Sequence, residues 1–288
     1  MPTLDPRLNA FRNDLANIKL KGTVSAKQYV TASTACVTSH FADVHKHPDQ
    51  GSMLQTQILH GHEVNIFDRQ DGWAWIQYPT DGYVGYVREE ALAEPDANTA
   101  ALPTHMIVAP RTFLYGEPDL KLGRLGYRSM GSKLCVTDNV ATRGTNYSIL
   151  ASGEAVISSH LIKLNDWQAD PVSVAETLIH TPYLWGGSTG FGIDCSGLVS
   201  LSYMLCGQNV LRDTDMQTTS IGQEIPMQFD QLKRGDLVFW NGHVGMMADG
   251  KNLLHANGNT MDVAIEPLDA AIERIGYLYE QPTMVRRA

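Results

Sequence analysis

The stretch TPYLWGGSTGFGIDCSGLVSLSYMLCG, Thr181 to Gly207, decides how the rest of the chain is read. Two glycine-rich turns, Pro182 to Gly187 and Thr189 to Gly192, lead into the polar Asp194-Cys195-Ser196-Gly197, and an unbroken apolar run follows from Leu198 to Leu205. This order predicts a buried helix opened by Asp194 as N-cap and closed by Gly207, which tolerates the left-handed backbone of a C′ position. Cys195 then falls on the first helical turn. Partial positive charge and free N–H groups at a helix start favour the thiolate, so a lowered thiol pKa is expected there. The glycines upstream let backbone come close to the sulfur. Cys206, further along the same apolar run, reads instead as a buried structural cysteine.

A cysteine nucleophile needs a base, and the base needs a group to orient it. Two histidines lie downstream on strand-like segments. His243 follows the apolar run Leu237-Val238-Phe239-Trp240, and His255 sits in Asn252-Leu253-Leu254-His255-Ala256. Asp249-Gly250 between them is a hairpin signal, and antiparallel neighbours bring the two imidazoles together.

Taken together, Tyr183-x-Trp185-Gly186-Gly187, Asp194-Cys195-Ser196-Gly197-Leu198-Val199, Gly235-Asp236-Leu237-Val238-Phe239, His243-Val244-Gly245 and His255-Ala256 resemble the NlpC/P60 cysteine peptidases. The resemblance runs from Asp170 to about Gln281. It implies a papain-like α+β fold and a triad of Cys195 as nucleophile, His243 as base and His255 orienting His243. It also implies a substrate cleft lined by Tyr183, Asp194, Ser196, Arg212, Asp213 and Thr214. In that reading Asp213 pairs with a substrate ammonium, Ser196 and Thr214 donate to a substrate carboxylate, and Tyr183 places its hydroxyl near the nucleophile. Leu211 stands where the family usually has a proline before the arginine. The implied reaction is hydrolysis of the γ-D-glutamyl–L-diamino acid bond of murein peptides with a free N-terminal L-alanine, with no metal or organic cofactor. A papain-like amidase or acyltransferase on another substrate, or a non-catalytic wall-binding module, are the alternatives.

The chain has 288 residues, enough for two or three cores, and its 43% hydrophobic and 18% charged composition is that of a globular protein. A formal charge of −9 argues against nucleic acid and anionic membrane surfaces as partners. The first residues carry neither a basic nor an apolar leader region, and no apolar run is long enough for a transmembrane helix, so a cytoplasmic setting is expected. Four cysteines without CxxC spacing fit reduced thiols.

Ahead of the Cys–His segment the chain changes character twice. Leu8, Phe11, Leu15 and Ile18 recur at helical spacing, which predicts a helical extension over residues 1–30. Residues 31–94 are short β-rich pieces, among them Glu63–Phe67, Trp73–Tyr78 and Gly82–Val87, punctuated by Asp71-Gly72 and Asp81-Gly82. That pattern predicts a small barrel and resembles bacterial SH3 domains. Residues 94–100 read as a polar linker. Residues 101–164 repeat the plan more faintly, without the tryptophan pair, as a second SH3-like barrel, and residues 165–288 form the catalytic domain. In the resembling subgroup, the γ-D-glutamyl-L-diamino acid endopeptidases, the first barrel leans over the cleft. Tyr83 is accordingly expected at the hairpin tip, covering the amine end of the substrate beside Asp213. Two HxH pairs, His45-Lys46-His47 and His60-Gly61-His62, lack a cysteine or carboxylate to complete a zinc set and read as turn and surface histidines. Near the end, a helix over residues 269–275 and a strand at Tyr277 to Tyr279 are expected.

Overall fold

Alternating apolar residues and turn glycines produce mostly strands, and a computed structural model describes them over residues 4–94 and 102–288. Most of the expected linker falls outside the described residues. The chain divides into two units, one through Leu164 and one from Asn165 to Ala288.

In the first unit, β1 (Ser33–Val37), β2 (Phe41–His45), β3 (Leu54–Leu59), β4 (Glu63–Gln70), β5 (Trp73–Gln77), β6 (Val84–Arg88) and β7 (Leu92–Ala93) make one sheet. Its order is β3-β2-β6-β5-β4-β1-β7. Every second residue of these strands faces a common core of Val37, Val44, Ile58, Val64, Ile66, Ile76 and Val87. The Asp71-Gly72 turn has φ of 52° and 77°, the doubly left-handed geometry that lets a two-residue loop follow the strand twist.

A second set follows: β8 (His105–Ile107), β9 (Arg111–Tyr115), β10 (Arg124–Ser129), β11 (Lys133–Leu134), β12 (Val136–Thr142), β13 (Thr145–Leu150), β14 (Ala155–Ile157) and β15 (Leu161–Lys163). These strands form two sheets, β10-β9-β14-β13-β12 and β11-β8-β15, which repeat the neighbour order of the first set. The β-bulges repeat as well, at a spacing of 70 residues: Val44/His45 returns as Leu114/Tyr115, and Ile66/Asp68 as Val136/Asp138. The two sets meet through backbone. Lys133 N–H donates to His60 O at 2.9 Å, and a Cβ on Gly61 would lie 2.3 Å from Lys133 O. His62 is buried in this seam and is not a surface residue. Tyr78 O–H donates to its Nδ1 at 2.6 Å, and its Nε2–H donates to Gly131 O at 2.9 Å.

The expected N-terminal helix does not form. Asp5 takes the Arg7 backbone N–H on its side chain at 2.8 Å, and Asn9 donates to Asp5 O at 2.8 Å. These local turns compete with helix formation, as short polar side chains do. The segment runs on as a strap whose strand Leu15–Asn17 pairs in parallel with Gln28–Val30. Ala10 and Leu15 bury against Phe67 and Trp75, whereas Ile18 of the helical spacing is exposed.

In the second unit, α1 (Pro171–Glu176) opens with Asp170 accepting from the N–H groups of Val172 and Ser173. Residues 177–179 tighten into i→i−3 bonds before His180 turns left-handed at φ 67°. Next come α2 (Cys195–Leu205), α3 (Thr214–Ser220), β16 (Gln223–Ile225), β17 (Leu237–Trp240), β18 (His243–Met247), β19 (Asn252–Asn257), β20 (Asp262–Pro267), α4 (Leu268–Tyr279) and β21 (Met284–Arg287). The sheet order is β16-β21-β17-β18-β19-β20. Residues 277–279 continue α4, and the closing strand lies at β21, a correction to the expected strand there. All four residues of β17 are buried, as a strand covered on both faces requires. Val238, Trp240, Met247 and Leu253 meet Leu268, Ala271 and Ile275 of α4. On the other face α2 packs across β18 and β19.

Candidate active site

Asp194 opens α2 as expected, its side chain accepting from Gly197 N at 2.7 Å. The carboxylate also accepts from Gly186 N at 2.9 Å, which ties the upstream loop to the helix start. Gly197 is required by contact: a Cβ there would lie 2.2 Å from Gly187 O. Arg212 completes the arrangement, donating Nη1 to Asp194 Oδ1 at 3.0 Å, Nη2 to Asp194 Oδ2 at 2.8 Å and Nη1 to Ser196 Oγ at 2.7 Å. Arg212 is 2% exposed. Asp194, Ser196 and Arg212 are therefore engaged with one another beneath the loop, a structural role that the expectation of a substrate-lining arginine did not foresee.

Cys195 is buried on the first turn of α2. Its sulfur lies 3.9 Å from Thr214 Oγ1 and receives the Val244 backbone N–H. Burial pushes its thiol up to about 11, and the charge of Asp194 adds to this, while the Val244 N–H, Thr214 hydroxyl and Arg212 work the other way. This direction is opposite to the lowered pKa expected at a helix start, and desolvation of the thiolate is its largest cause.

Val244 is the residue after His243, so the β17–β18 hairpin brings the backbone next to His243 to the nucleophile end of α2. Trp240 pairs with His243, and His255 stands two residues from Leu253, so both rings share the sheet face that α4 covers. His243 Nε2 and His255 Nδ1 are 2.8 Å apart. Burial, followed by the influence of His255 and Arg274, pushes the His243 pKa down to about 3.

Beyond His255 the line continues to residues that sequence reading did not single out. Glu266 Oε1 is 2.8 Å from His255 Nε2, and Arg274 of α4 pairs with the same oxygen. His255 is opposite Ala264 across the β19–β20 ladder, which sets Glu266 two residues along on the same face. Gln217 of α3 is another addition. It is fully buried and donates Nε2 to Ser196 O at 3.0 Å and Leu211 O at 2.9 Å, joining α3 to the first turn of α2.

The remaining expected residues are spread more widely. Thr214 is buried beside the sulfur, and Asp213 precedes it as the N-cap residue of α3, its carbonyl accepting from Gln217 N at 2.9 Å. Tyr183 is half-buried, with its backbone N–H on Met261 O. Tyr83, in the other unit, is 2% exposed and not an open hairpin tip, with its hydroxyl on Gln55 Oε1 at 3.3 Å. Among the described residues no group of three or more His, Cys, Asp or Glu is placed to hold a metal ion, and no helix is long and apolar enough to cross a membrane.

A buried cysteine at a helix start, bonded to the backbone N–H of the residue that follows the first of two hydrogen-bonded imidazoles, is an arrangement for nucleophilic attack on a carbonyl. Comparisons with known proteins agree. Residues 180–276 match the NlpC/P60 family, and residues 44–92 match the bacterial dipeptidyl-peptidase Sh3 domain. The chain is 28% identical to dipeptidyl-peptidase 6 of Lysinibacillus sphaericus over 82% of its own length and 92% of that protein. It is likewise 28% identical to a gamma-D-glutamyl-L-lysine dipeptidyl-peptidase of Bacillus subtilis, over 77% of this chain and 78% of that one. A crystal structure of an NlpC/P60 family protein from Bacillus cereus shares the fold with a TM-score of 0.73 at 22% identity, covering 88% of this chain and 99% of that one.

Proposed function

This chain carries an NlpC/P60 cysteine peptidase domain behind a bacterial SH3 domain, and from that premise we propose that it hydrolyses the γ-D-glutamyl–L-diamino acid bond of murein peptides whose N-terminal L-alanine is free. The observation that carries the reading is Cys195 at the start of α2, with His243 and His255 hydrogen-bonded at 2.8 Å on the adjoining strands. The names of the relatives support the substrate class. In this proposal residues 101–164, with the same strand order as the first set, are a second SH3-like barrel.

The Cys195 thiol gives its proton to His243 as the sulfur attacks the γ-carbonyl carbon. The C=O electron pair moves to the oxygen, for which the Cys195 backbone N–H is the proposed donor. Collapse of the tetrahedral adduct breaks the C–N bond, and the leaving amine of the diamino acid takes the proton from His243. Water then gives a proton to His243 and attacks the thioester carbon. The C–S bond breaks, and sulfur regains the proton from His243. Asp213 beside Thr214 is proposed to pair with the α-ammonium of L-alanine. An uncharged N-acyl group offers no ammonium for Asp213 to pair with, so such substrates lose that interaction and are rejected.

The test is a paired assay of L-Ala-γ-D-Glu-diaminopimelate and its N-acetyl form, followed by mass spectrometry. Wild type should release L-Ala-γ-D-Glu from the free peptide only, and Cys195→Ala should release nothing. Comparable rates on both substrates would sink the requirement for a free amine. No cleavage of either would sink the peptide substrate itself.

A further inference from the structure

His255 is fully buried between two partners, and its position dictates where the protons sit. The Glu266 carboxyl is held below the usual carboxylate range, first by its hydrogen bond with His255 and further by Arg274. An ionised carboxylate only accepts hydrogen bonds, so His255 Nε2, at 2.8 Å from Oε1, carries a proton. A neutral ring with Nε2–H presents a bare Nδ1. The 2.8 Å contact between that atom and His243 Nε2 is then a hydrogen bond only if His243 donates.

We propose that Glu266 is a positioning residue of this site: acting through His255, it fixes His243 as the Nε2–H tautomer and leaves Nδ1 as the lone pair that takes the thiol proton. With a donor at position 266, His255 would carry its proton on Nδ1, His243 Nε2 would have to accept, and the proton of a neutral His243 would move to the nitrogen needed as base. As His243 gains a proton in the reaction, the His255–Glu266 line also stabilises the imidazolium, as a carboxylate behind a histidine does. The other charged group bearing on the line is Arg274 of α4, which opposes protonation of His243 and pairs with Glu266. What the base does rests on the peptidase reading above; where the proton sits does not.

The experiment is nitrogen NMR of the full chain with labelled histidine, on wild type and Glu266→Met, alongside kinetics on the free tripeptide. In wild type at neutral pH, both His243 and His255 should show a protonated, pyrrole-type Nε2 and a bare, pyridine-type Nδ1. In Glu266→Met the His243 nitrogens should move toward averaged shifts. Its kcat should fall about 10- to 100-fold with KM held within about twofold, and the acid limb of kcat/KM should move to lower pH because the imidazolium has lost its carboxylate. Glu266→Asp should recover part of the loss. A protonated Nδ1 on His243 in wild type overturns the proposal, and that spectrum decides it even if the variant does not fold. Unchanged shifts and kcat in a folded Glu266→Met overturn it equally. If the tripeptide is not a substrate, the spectra still decide the tautomer, which separates failure of this inference from failure of the proposed function.

Discussion

The residue on which the chemistry turns is a thiol whose ionisation burial disfavours. Burial pushes Cys195 up to about 11 and His243 down to about 3, both toward their uncharged forms. Proton transfer and attack then belong to the same event, once a substrate carbonyl is present. The consequence for labelling is direct. Alkylation of Cys195 by iodoacetamide should be slow near neutrality and rise by about tenfold per pH unit up to the thiol's own range, because the thiolate is the reacting species. Peptide mapping after timed labelling across about pH 6 to about pH 9 measures this slope. A flat profile across that range would mean a resting thiolate–imidazolium pair instead.

At the scale of elements, the start of α2 is held by a buried ion pair. Arg212→Met leaves the Asp194 carboxylate, 7% exposed, without its guanidinium, and should cost about 3–5 kcal/mol, read as a lower unfolding midpoint in denaturant. A midpoint equal to wild type would show that backbone N–H groups alone suffice for Asp194. This pair also marks where sequence reading stops. The Asp194 cap, the left-handed Gly207 and the β18–β19 hairpin turn were all legible, because each is written within a few adjacent residues. Arg212 as partner of Asp194, Gln217 across α2, and Glu266 behind His255 were not, because each depends on side chains of separate elements meeting in the fold. The strap over residues 5–17 misled in the other direction: helical spacing was present, but asparagine and aspartate turns and a ready apolar surface at Phe67 and Trp75 decided its course. The Cys195 pKa was misread for a related reason. The helix start is visible in sequence, and the degree of enclosure is not.

Across the whole molecule, both units carry histidines kept neutral by burial. His60 is pushed down to about 4, His62 to about 3 and His243 to about 3. In the unfolded chain these rings titrate near about 6.5. Their folded pKa values lie below that, so the stability they contribute is present above about pH 6.5 and is lost as pH falls toward the folded values. For His62, 1% exposed, the loss approaches about 1.4 kcal/mol per pH unit below that point. Thermal midpoints should therefore drop between about pH 7 and about pH 5, and His62→Gln, which cannot titrate, should flatten the slope. A midpoint constant over that interval would contradict neutral burial of these rings. The second unit also has an order of assembly built into its sheet. β21, Met284–Arg287, lies between β16 and β17, and its Val285 is part of the core beneath α4. Synthesis runs from the N-terminus, so the ribosome delivers Cys195, His243 and His255 well before the strand that fills this gap. A nascent chain can complete its SH3 domain early, yet its nucleophile and base wait for β21 before the sheet behind them is whole.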